Sequence, residues 1–161
     1  MAERTGAAMI KASKIGTELT DEQCAVVAGL VEIADYADGD VVVPEGAVDE
    51  RLRIVLRGAL AVAKKSTEGD WRRLNVLTAG DLVGELAFLD SRPRYAALVA
   101  LGPTEVFSLQ RTRLEALLPE HPEIVYRVMR SIARFAHEVM QRNGIELAEL
   151  TSYLYKTNPK Y

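Results

Sequence analysis

Residues 79–98 read Ala79-Gly80-Asp81-Leu82-Val83-Gly84-Glu85-Leu86-Ala87-Phe88-Leu89-Asp90-Ser91-Arg92-Pro93-Arg94-Tyr95-Ala96-Ala97-Leu98 and gather groups suited to holding a phosphorylated sugar. A small-residue turn leads into helix formers from Gly84 to Leu89. The first amides of a helical turn lack intrahelical partners and sit at the positive end of its dipole, which favours a phosphate group. Gly84 permits close approach, and Glu85 sets a carboxylate beside those amides. A carboxylate repels phosphate but accepts hydrogen bonds from a sugar hydroxyl. Nine residues after Glu85, Arg94 returns at the start of a β-type run with a planar fork that matches phosphate oxygens. The competing reading of Glu85 and Arg94 is a salt bridge, mutual or at the surface, in an empty pocket.

Other reactive residues form no such constellation. His121 stands in a loop between Pro119 and Pro122, and His137 lies in a helical run; neither has a second histidine or a cysteine at ligand spacing, so no metal is expected. Ser66, Thr67 and Ser91 have no histidine or acid at a recognisable spacing, and no catalytic residue and no enzyme activity are expected. Trp71, Arg72 and Arg73 beside Lys64 and Lys65 make a basic and aromatic patch, read as a solvated hairpin with tryptophan covering a strand end.

The elements that position the 79–98 segment are legible from texture. Thr20-Asp21-Glu22-Gln23 fits a capping box, predicting a helix from about Asp21 to Val31, followed by a polar turn at Asp35 to Asp40. Short β-branched runs follow at Val41 to Val43, Leu52 to Leu56, Leu60 to Ala63, Leu74 to Leu77, Ala96 to Ala100 and Val106 to Leu109. They are separated by turn residues at Pro44-Glu45-Gly46, Gly58, Glu68-Gly69-Asp70, Ala79-Gly80-Asp81 and Gly102-Pro103, as in a barrel or jelly roll. Past Gln110 the chain turns helical. Thr112 to Leu118 predicts one helix, and Val125, Val128, Ile132, Phe135 and Val139 recur at the a/d spacing of a two-helix seam in a longer one. A second row runs Ile124, Met129, Ala133, Ala136 and Met140, so one row can cover the β-region while the other meets a partner; a single broad stripe buried within one subunit is the alternative. Asn143-Gly144 is expected to weaken or end that helix, with one more short helix in the tail before the polar end Thr157-Asn158-Pro159-Lys160.

These features together resemble the cyclic nucleotide-binding domain family. Gly84-Glu85-Leu86-Ala87, with nine residues from Glu85 to Arg94 in a Pro-Arg-x-Ala context, is similar to the family's phosphate-binding cassette. Asp40-Val41-Val42-Val43-Pro44-Glu45-Gly46, Ile54-Val55-Leu56-Arg57-Gly58-Ala59-Leu60 and Leu77-Thr78-Ala79-Gly80-Asp81 resemble its three turn signatures, and the likeness covers about residues 20–140. The resemblance implies a mainly β fold with flanking helices. That fold is an eight-stranded β-roll of the double-stranded β-helix or jelly-roll type, with an N-terminal helix, a short cassette helix and a long C-terminal helix.

It also implies a site. Glu85 falls to the ribose 2′-hydroxyl, Arg94 to the cyclic phosphate, and Gly84, Leu86 and Ala87 to backbone contacts, with the Leu86 and Ala87 side chains packing. Tyr95 and Ala96 complete the ligand-binding set. The residue after the arginine is usually small or hydroxylated in the family, whereas Tyr95 either crowds the pocket or reaches over the base. Val83 stands where the family often carries an aromatic residue, at a packing position. The implied ligand is a cyclic nucleotide, cAMP ahead of cGMP, with no other cofactor.

The expected organisation is an N-terminal arm at 1–19, the binding domain with its helix at 20–142, and a helical tail at 143–161. A stand-alone sensor signalling through its C-terminal helix is the leading expectation; a β-roll that has lost nucleotide binding and acts as an interaction scaffold is the alternative. The a/d row predicts a homodimer through the long helix, and another signalling protein is a candidate partner. About 20 residues follow Gln141, too few for a winged helix-turn-helix, so no sequence-specific DNA binding is expected.

Composition agrees with one globular domain: 161 residues, 48% hydrophobic and 27% charged. Twenty Lys and Arg against 23 Asp and Glu give a net charge of -3, which is the wrong field for a dedicated nucleic-acid binder. Met1 to Gly16 lacks the apolar core of an export signal, and no apolar run approaches the roughly 20 residues that span a bilayer. With Cys24 alone, no intrachain disulfide forms, and a cytoplasmic setting is expected.

Overall fold

The computed structural model describes residues 6–157. The first residues of the Met1 to Gly16 stretch and the terminal Asn158-Pro159-Lys160 lie outside the described residues. Two helices, α1 (Gly6–Ala12) and α2 (Asp21–Ala28), precede strands β1 (Glu32–Tyr36), β2 (Val41–Val43), β3 (Arg51–Lys65), β4 (Trp71–Thr78) and β5 (Leu82–Val83). The short helix α3 (Glu85–Asp90) is followed by β6 (Ala97–Gln110), α4 (Arg111–Glu115) and the long α5 (Pro122–Thr157). The expected mainly β roll with flanking helices is present.

All pairing is antiparallel, with sheet order β1-β6-β3-β4, β2 paired to β6 and β5 paired to β3. Six continuous strands stand where eight are implied, because β3 and β6 each run through a kink at a point where the sequence predicts a separator. Gly58 lies in one kink with φ of 84° and Gly102 in the other with φ of 72°. At Gly58 a Cβ would stand 2.4 Å from the Pro103 carbonyl oxygen, so the two kinks nest only because one of them lacks a side chain. Thr104 closes the junction, its hydroxyl 3.0 Å from the carbonyl oxygens of both Ala59 and Gly102. Divided at the kinks, the sheet has eight strand segments.

The capping box forms as expected: Gln23 N–H donates to Thr20 Oγ1 at 3.2 Å, and Thr20 N–H donates to Gln23 Oε1 at 3.1 Å. The helix it opens ends at Ala28, short of Val31, and Glu32–Tyr36 forms β1, which takes in Asp35 where the sequence predicts a turn. That strand exists because Glu32 to Tyr36 find backbone partners in Ser108 to Thr104 of β6, at the other end of the β-region. Most of its side chains are exposed, so it carries no apolar alternation.

A second correction concerns α5. Asn143-Gly144 neither ends nor separates it; one helix runs from Pro122, at the favoured N1 position, to Thr157. A glycine in an exposed helix interior costs only about 1 kcal/mol relative to alanine, and nothing lies within 4 Å of the position a Gly144 Cβ would take.

The larger core lies between the roll and the helices, where Ile10, Ile15, Leu19, Phe88, Phe107 and Val128 are fully buried. Residues 6–19, within the expected N-terminal arm, therefore pack against the domain. A smaller core of Val43, Val55, Leu60, Leu98, Ala100 and Val106 fills the roll. The a/d row of α5 belongs to the larger core: Val125, Val128, Ile132 and Phe135 are buried and Val139 packs against them. The row with seam spacing thus covers its own subunit, whereas farther along α5 Met140, Ile145 and Leu147 are exposed. No helix among the described residues is long and apolar enough to cross a membrane.

Candidate functional site

The 79–98 segment folds as its residue types require. Gly84 caps α3 in the left-handed region, φ 89° and ψ 15°, which favours glycine. A second constraint acts on the same atom. A Cβ there would lie 2.6 and 2.7 Å from the two terminal nitrogens of Arg94 and 2.9 Å from the Arg51 carbonyl oxygen. Gly84 therefore gives the chain its turn into α3 and lets the guanidinium lie against the backbone.

Arg94 follows Pro93, and its backbone is pinned to the loop after β2: its N–H donates to the Ala47 carbonyl, and its carbonyl accepts from Gly46 N–H at 2.7 Å. Its Nη2 donates to the carbonyls of Asp49 and Arg51, both at 3.0 Å. Its Nε is buried with no hydrogen-bond partner. Burial pushes the pKa of this guanidinium down and the Arg53 cation adds to that, while Asp49 and Glu85 oppose it. Arginine nevertheless stays protonated in proteins, so the site holds a partly desolvated cation with an unused donor.

Glu85 and Arg94 face one cavity of about 310 Å³, also lined by Gly84, Ala87, Tyr95 and Ala96 and walled by Val62, Val83 and Leu98. That size falls at the lower end of the range for small-molecule sites. The two charges make no ion pair with each other, and Glu85 makes no side-chain hydrogen bond or salt bridge among the described residues. The mutual salt bridge, the alternative for this pair, is therefore not formed. Ala87 and Ala96 are buried and supply small walls. The Leu86 backbone lies in the first turn of α3; its side chain, expected to pack, lies outside the described side chains.

Tyr95 is 71% exposed, on the rim of the cavity instead of inside it. The ring has the Lys64 ammonium 6.0 Å from its centroid, and Lys64 is held in turn by Glu45 at 3.5 Å. Arg92 is exposed and paired with Asp90 at 3.1 Å, and both also line the cavity. A wider cleft of about 570 Å³ adjoins the cavity through Val62, Val83, Glu85 and Tyr95, and it reaches α5 at Phe135, Val139, Arg142 and Asn143. Trp71 is partly exposed at the start of β4 with Lys65 Nζ 5.2 Å over its ring, away from the cavity. Ser91 ends α3, and its hydroxyl is bonded to Glu50 and Arg111. His121 lies 3.9 Å from Glu123, and no cluster of three potential metal ligands forms among the described residues.

Sequence reasoning misses the 49–51 loop. Asp49 and Arg51 hold Arg94 through main-chain carbonyls, which every residue type possesses, so no residue-type signal marks them. It also misses the ion cluster of Glu50 and Arg111 behind α3, whose members are far apart in the chain.

Residues 24–121 match the family model described as "Cyclic nucleotide-binding domain". Over 116 residues, 72% of this chain and 50% of the relative, the chain is 27% identical to a CRP-like cAMP-activated global transcriptional regulator of Mycobacterium tuberculosis. Over 112 residues, 70% of this chain and 28% of the relative, it is 31% identical to the cAMP-dependent protein kinase regulatory subunit of Blastocladiella emersonii. The chain thus spans half the length or less of these relatives. Among solved structures it superposes on the catabolite activator protein of Thermus thermophilus with a TM-score of 0.71 at 25% identity, covering 86% of this chain and 63% of that one. A cyclic nucleotide-binding domain from Methylobacillus flagellatus gives a TM-score of 0.78 at 18% identity, covering 90% and 85%; at that identity it speaks for the fold alone.

Proposed function

The chain belongs to the cyclic nucleotide-binding domain family, and on that premise we propose that it is a regulatory module that binds cAMP in preference to cGMP and signals through α5 without catalysing a reaction. The observation that carries the reading is the open pair across the cavity: Arg94 with a buried, unpartnered Nε, and Glu85 facing the same space with no side-chain partner among the described residues. An unpaired buried donor is costly, and a ligand phosphate satisfies it. In this reading Arg94 takes the cyclic phosphate and Glu85 the ribose 2′-hydroxyl. Gly84, Leu86 and Ala87 contribute backbone at the start of α3, Ala96 a small wall, and Tyr95 an aromatic rim over the base. The names of the relatives, cAMP-activated and cAMP-dependent, support cAMP as the first ligand to test.

The binding unit is residues 20–142 and the output segment 143–161, preceded by 1–19. Output runs through α5, whose first half shares the larger core with α3 and whose second half exposes Met140, Ile145 and Leu147. A homodimer through α5 therefore uses this later stretch and not the buried a/d row. The double variant Met140→Glu, Ile145→Glu should then be monomeric in light scattering while the wild type is dimeric; a monomeric wild type at high concentration removes the dimer from the proposal. The lone, buried thiol of Cys24 supports a cytoplasmic setting.

Titration calorimetry with cAMP and cGMP tests the central claim. Saturable heat with one site per chain, tighter for cAMP, is the expected result, and the nucleotide should be recovered unchanged. Absence of heat from both ligands would overturn the reading and leave the scaffold alternative.

A further inference from the structure

Glu50 sits between the two residues whose carbonyls hold Arg94, and its side chain is engaged on the far side from the cavity. Its Oε1 accepts from Ser91 Oγ at 2.6 Å and from Arg111 Nη2 at 2.6 Å. Arg111 Nη1 donates to Ser91 Oγ at 2.5 Å and points to the Phe88 carbonyl at 3.4 Å. The Arg111 N–H donates to the Glu50 carbonyl at 3.3 Å, and its Nε lies 3.3 Å from Glu115. Three separate pieces of chain meet here: the loop that grips Arg94, the C-terminal end of α3, and the first residue of α4. Ser91 is the only non-glycine residue with positive φ among those described, at 58°. Such a conformation persists where the surroundings over-determine it.

None of Glu50, Ser91 and Arg111 lines the 310 Å³ cavity. Both halves of the candidate phosphate site nevertheless hang from them, Arg94 through the carbonyls of Asp49 and Arg51, and the Gly84-Glu85 start of α3 through that helix's other end. We propose that Glu50, Ser91 and Arg111 form a positioning cluster that sets the separation between the Arg94 guanidinium and the first turn of α3, and thereby the affinity for the nucleotide's phosphate. The inference rests on the cyclic nucleotide reading and extends it to residues that do not touch the ligand. The cluster also joins the cassette to α4, the element that leads into α5, so the residues that register the site lie on the path to the output helix.

Ser91→Gly separates positioning from folding, because glycine keeps the positive φ without strain while the hydroxymethyl group with its hydrogen bonds is removed. In the full chain this variant should keep or raise the melting temperature while weakening cAMP binding about 5- to 30-fold. Arg111→Lys keeps the charge but loses the fork and should weaken binding by a similar factor, while Glu50→Gln retains an acceptor oxygen and should lose less. A direct readout is the Arg94 Nε–Hε resonance in the ligand-free chain, which should move in Arg111→Lys although the substitution is distant in the chain. Unchanged affinity and an unmoved Arg94 resonance in both Ser91→Gly and Arg111→Lys would overturn the proposal. Should the wild type bind neither cyclic nucleotide, the functional reading falls, and the Arg94 resonance still decides whether the cluster positions that side chain.

Discussion

Two glutamate–arginine pairs flank α3, and their states are opposite. Glu50 and Arg111 are closed on each other at 2.6 Å, with Ser91 and a main-chain carbonyl also accepting from the guanidinium and Glu115 3.3 Å from its Nε, which makes no hydrogen bond. Glu85 and Arg94 face the same cavity unpaired, and Arg94 keeps one buried nitrogen without a partner. Chemically the pairs are identical, and each arginine keeps a buried Nε without a hydrogen bond; what differs is whether glutamate and arginine are paired with each other. A closed pair holds pieces of chain together, whereas an open one leaves its carboxylate and cation to a third party. On the proposed reading, one side of α3 is structural and the other serves recognition.

The largest expected effect is Arg94→Ala on ligand binding. Removing one member of a desolvated charge pair typically costs about 2 to 5 kcal/mol, on the order of 30-fold or more in affinity, so calorimetry should show binding nearly abolished. Arg92→Ala, which removes a cavity-lining but exposed cation already paired with Asp90, should change it less. Equal affinity in wild type and Arg94→Ala would break the comparison at its recognition end.

Stability sharpens it at the other end. Arg111→Ala leaves Glu50 and Ser91 short of partners and should cost about 1 to 3 kcal/mol in denaturant unfolding. Arg94→Ala should leave ligand-free stability within about 1 kcal/mol of wild type, because two opposing effects meet there. The variant loses the bonds to Asp49 and Arg51, but it also relieves a desolvated cation. Burial lowers the folded-state pKa of Arg94, so the folded chain disfavours the charged form. That cost is present in full at every pH below the lowered value and vanishes only as pH rises past the ordinary arginine range. At neutral pH it is therefore fully relieved by the substitution. A loss for Arg94→Ala as large as that for Arg111→Ala would erase the distinction between the pairs.

Glu85→Ala removes hydrogen bonds to a neutral hydroxyl and should weaken cAMP binding by about 0.5 to 1.5 kcal/mol, a few-fold to about tenfold. The 2′-deoxy analogue of cAMP supplies the control, since wild type and Glu85→Ala should bind that ligand alike. Tyr95→Ala is expected to act no more strongly than Glu85→Ala. Because the ring stands on the rim, its loss should weaken binding by about 0.5 to 1.5 kcal/mol if it stacks on the base. Tighter binding by the variant would instead make the phenol an obstruction.

The recognition pair is legible in the sequence, because Gly84, Glu85 and Arg94 lie close together in the chain and each residue type has a distinct chemical role. The closed pair is not. Glu50, Ser91 and Arg111 are separated by 41 and 20 residues, and nothing in a glutamate or an arginine by itself announces which distant partner will satisfy it. The same contrast governs the elements. Thr20-Gln23 announces α2 because a capping box is closed by atoms three residues apart. Strand β1 stays hidden because its backbone bonds go to residues 104–108 and most of its side chains are exposed.

By itself, then, the sequence determined what rests on short-range geometry and residue chemistry: the turn at Gly84, the carboxylate and cation of the cassette, the turn residues between β-runs and the apolar stripe of α5. Tertiary structure alone decided the rest. It joined four β-runs into two kinked strands at Gly58 and Gly102, turned the a/d row of α5 inward onto its own subunit, carried that helix through Asn143-Gly144, and closed one ion pair while leaving the other open. Each of these outcomes depends on which distant surface is left to cover or which distant acceptor is in reach. Such information belongs to the packed chain, because burial and long-range pairing are properties of where residues meet and not of their order.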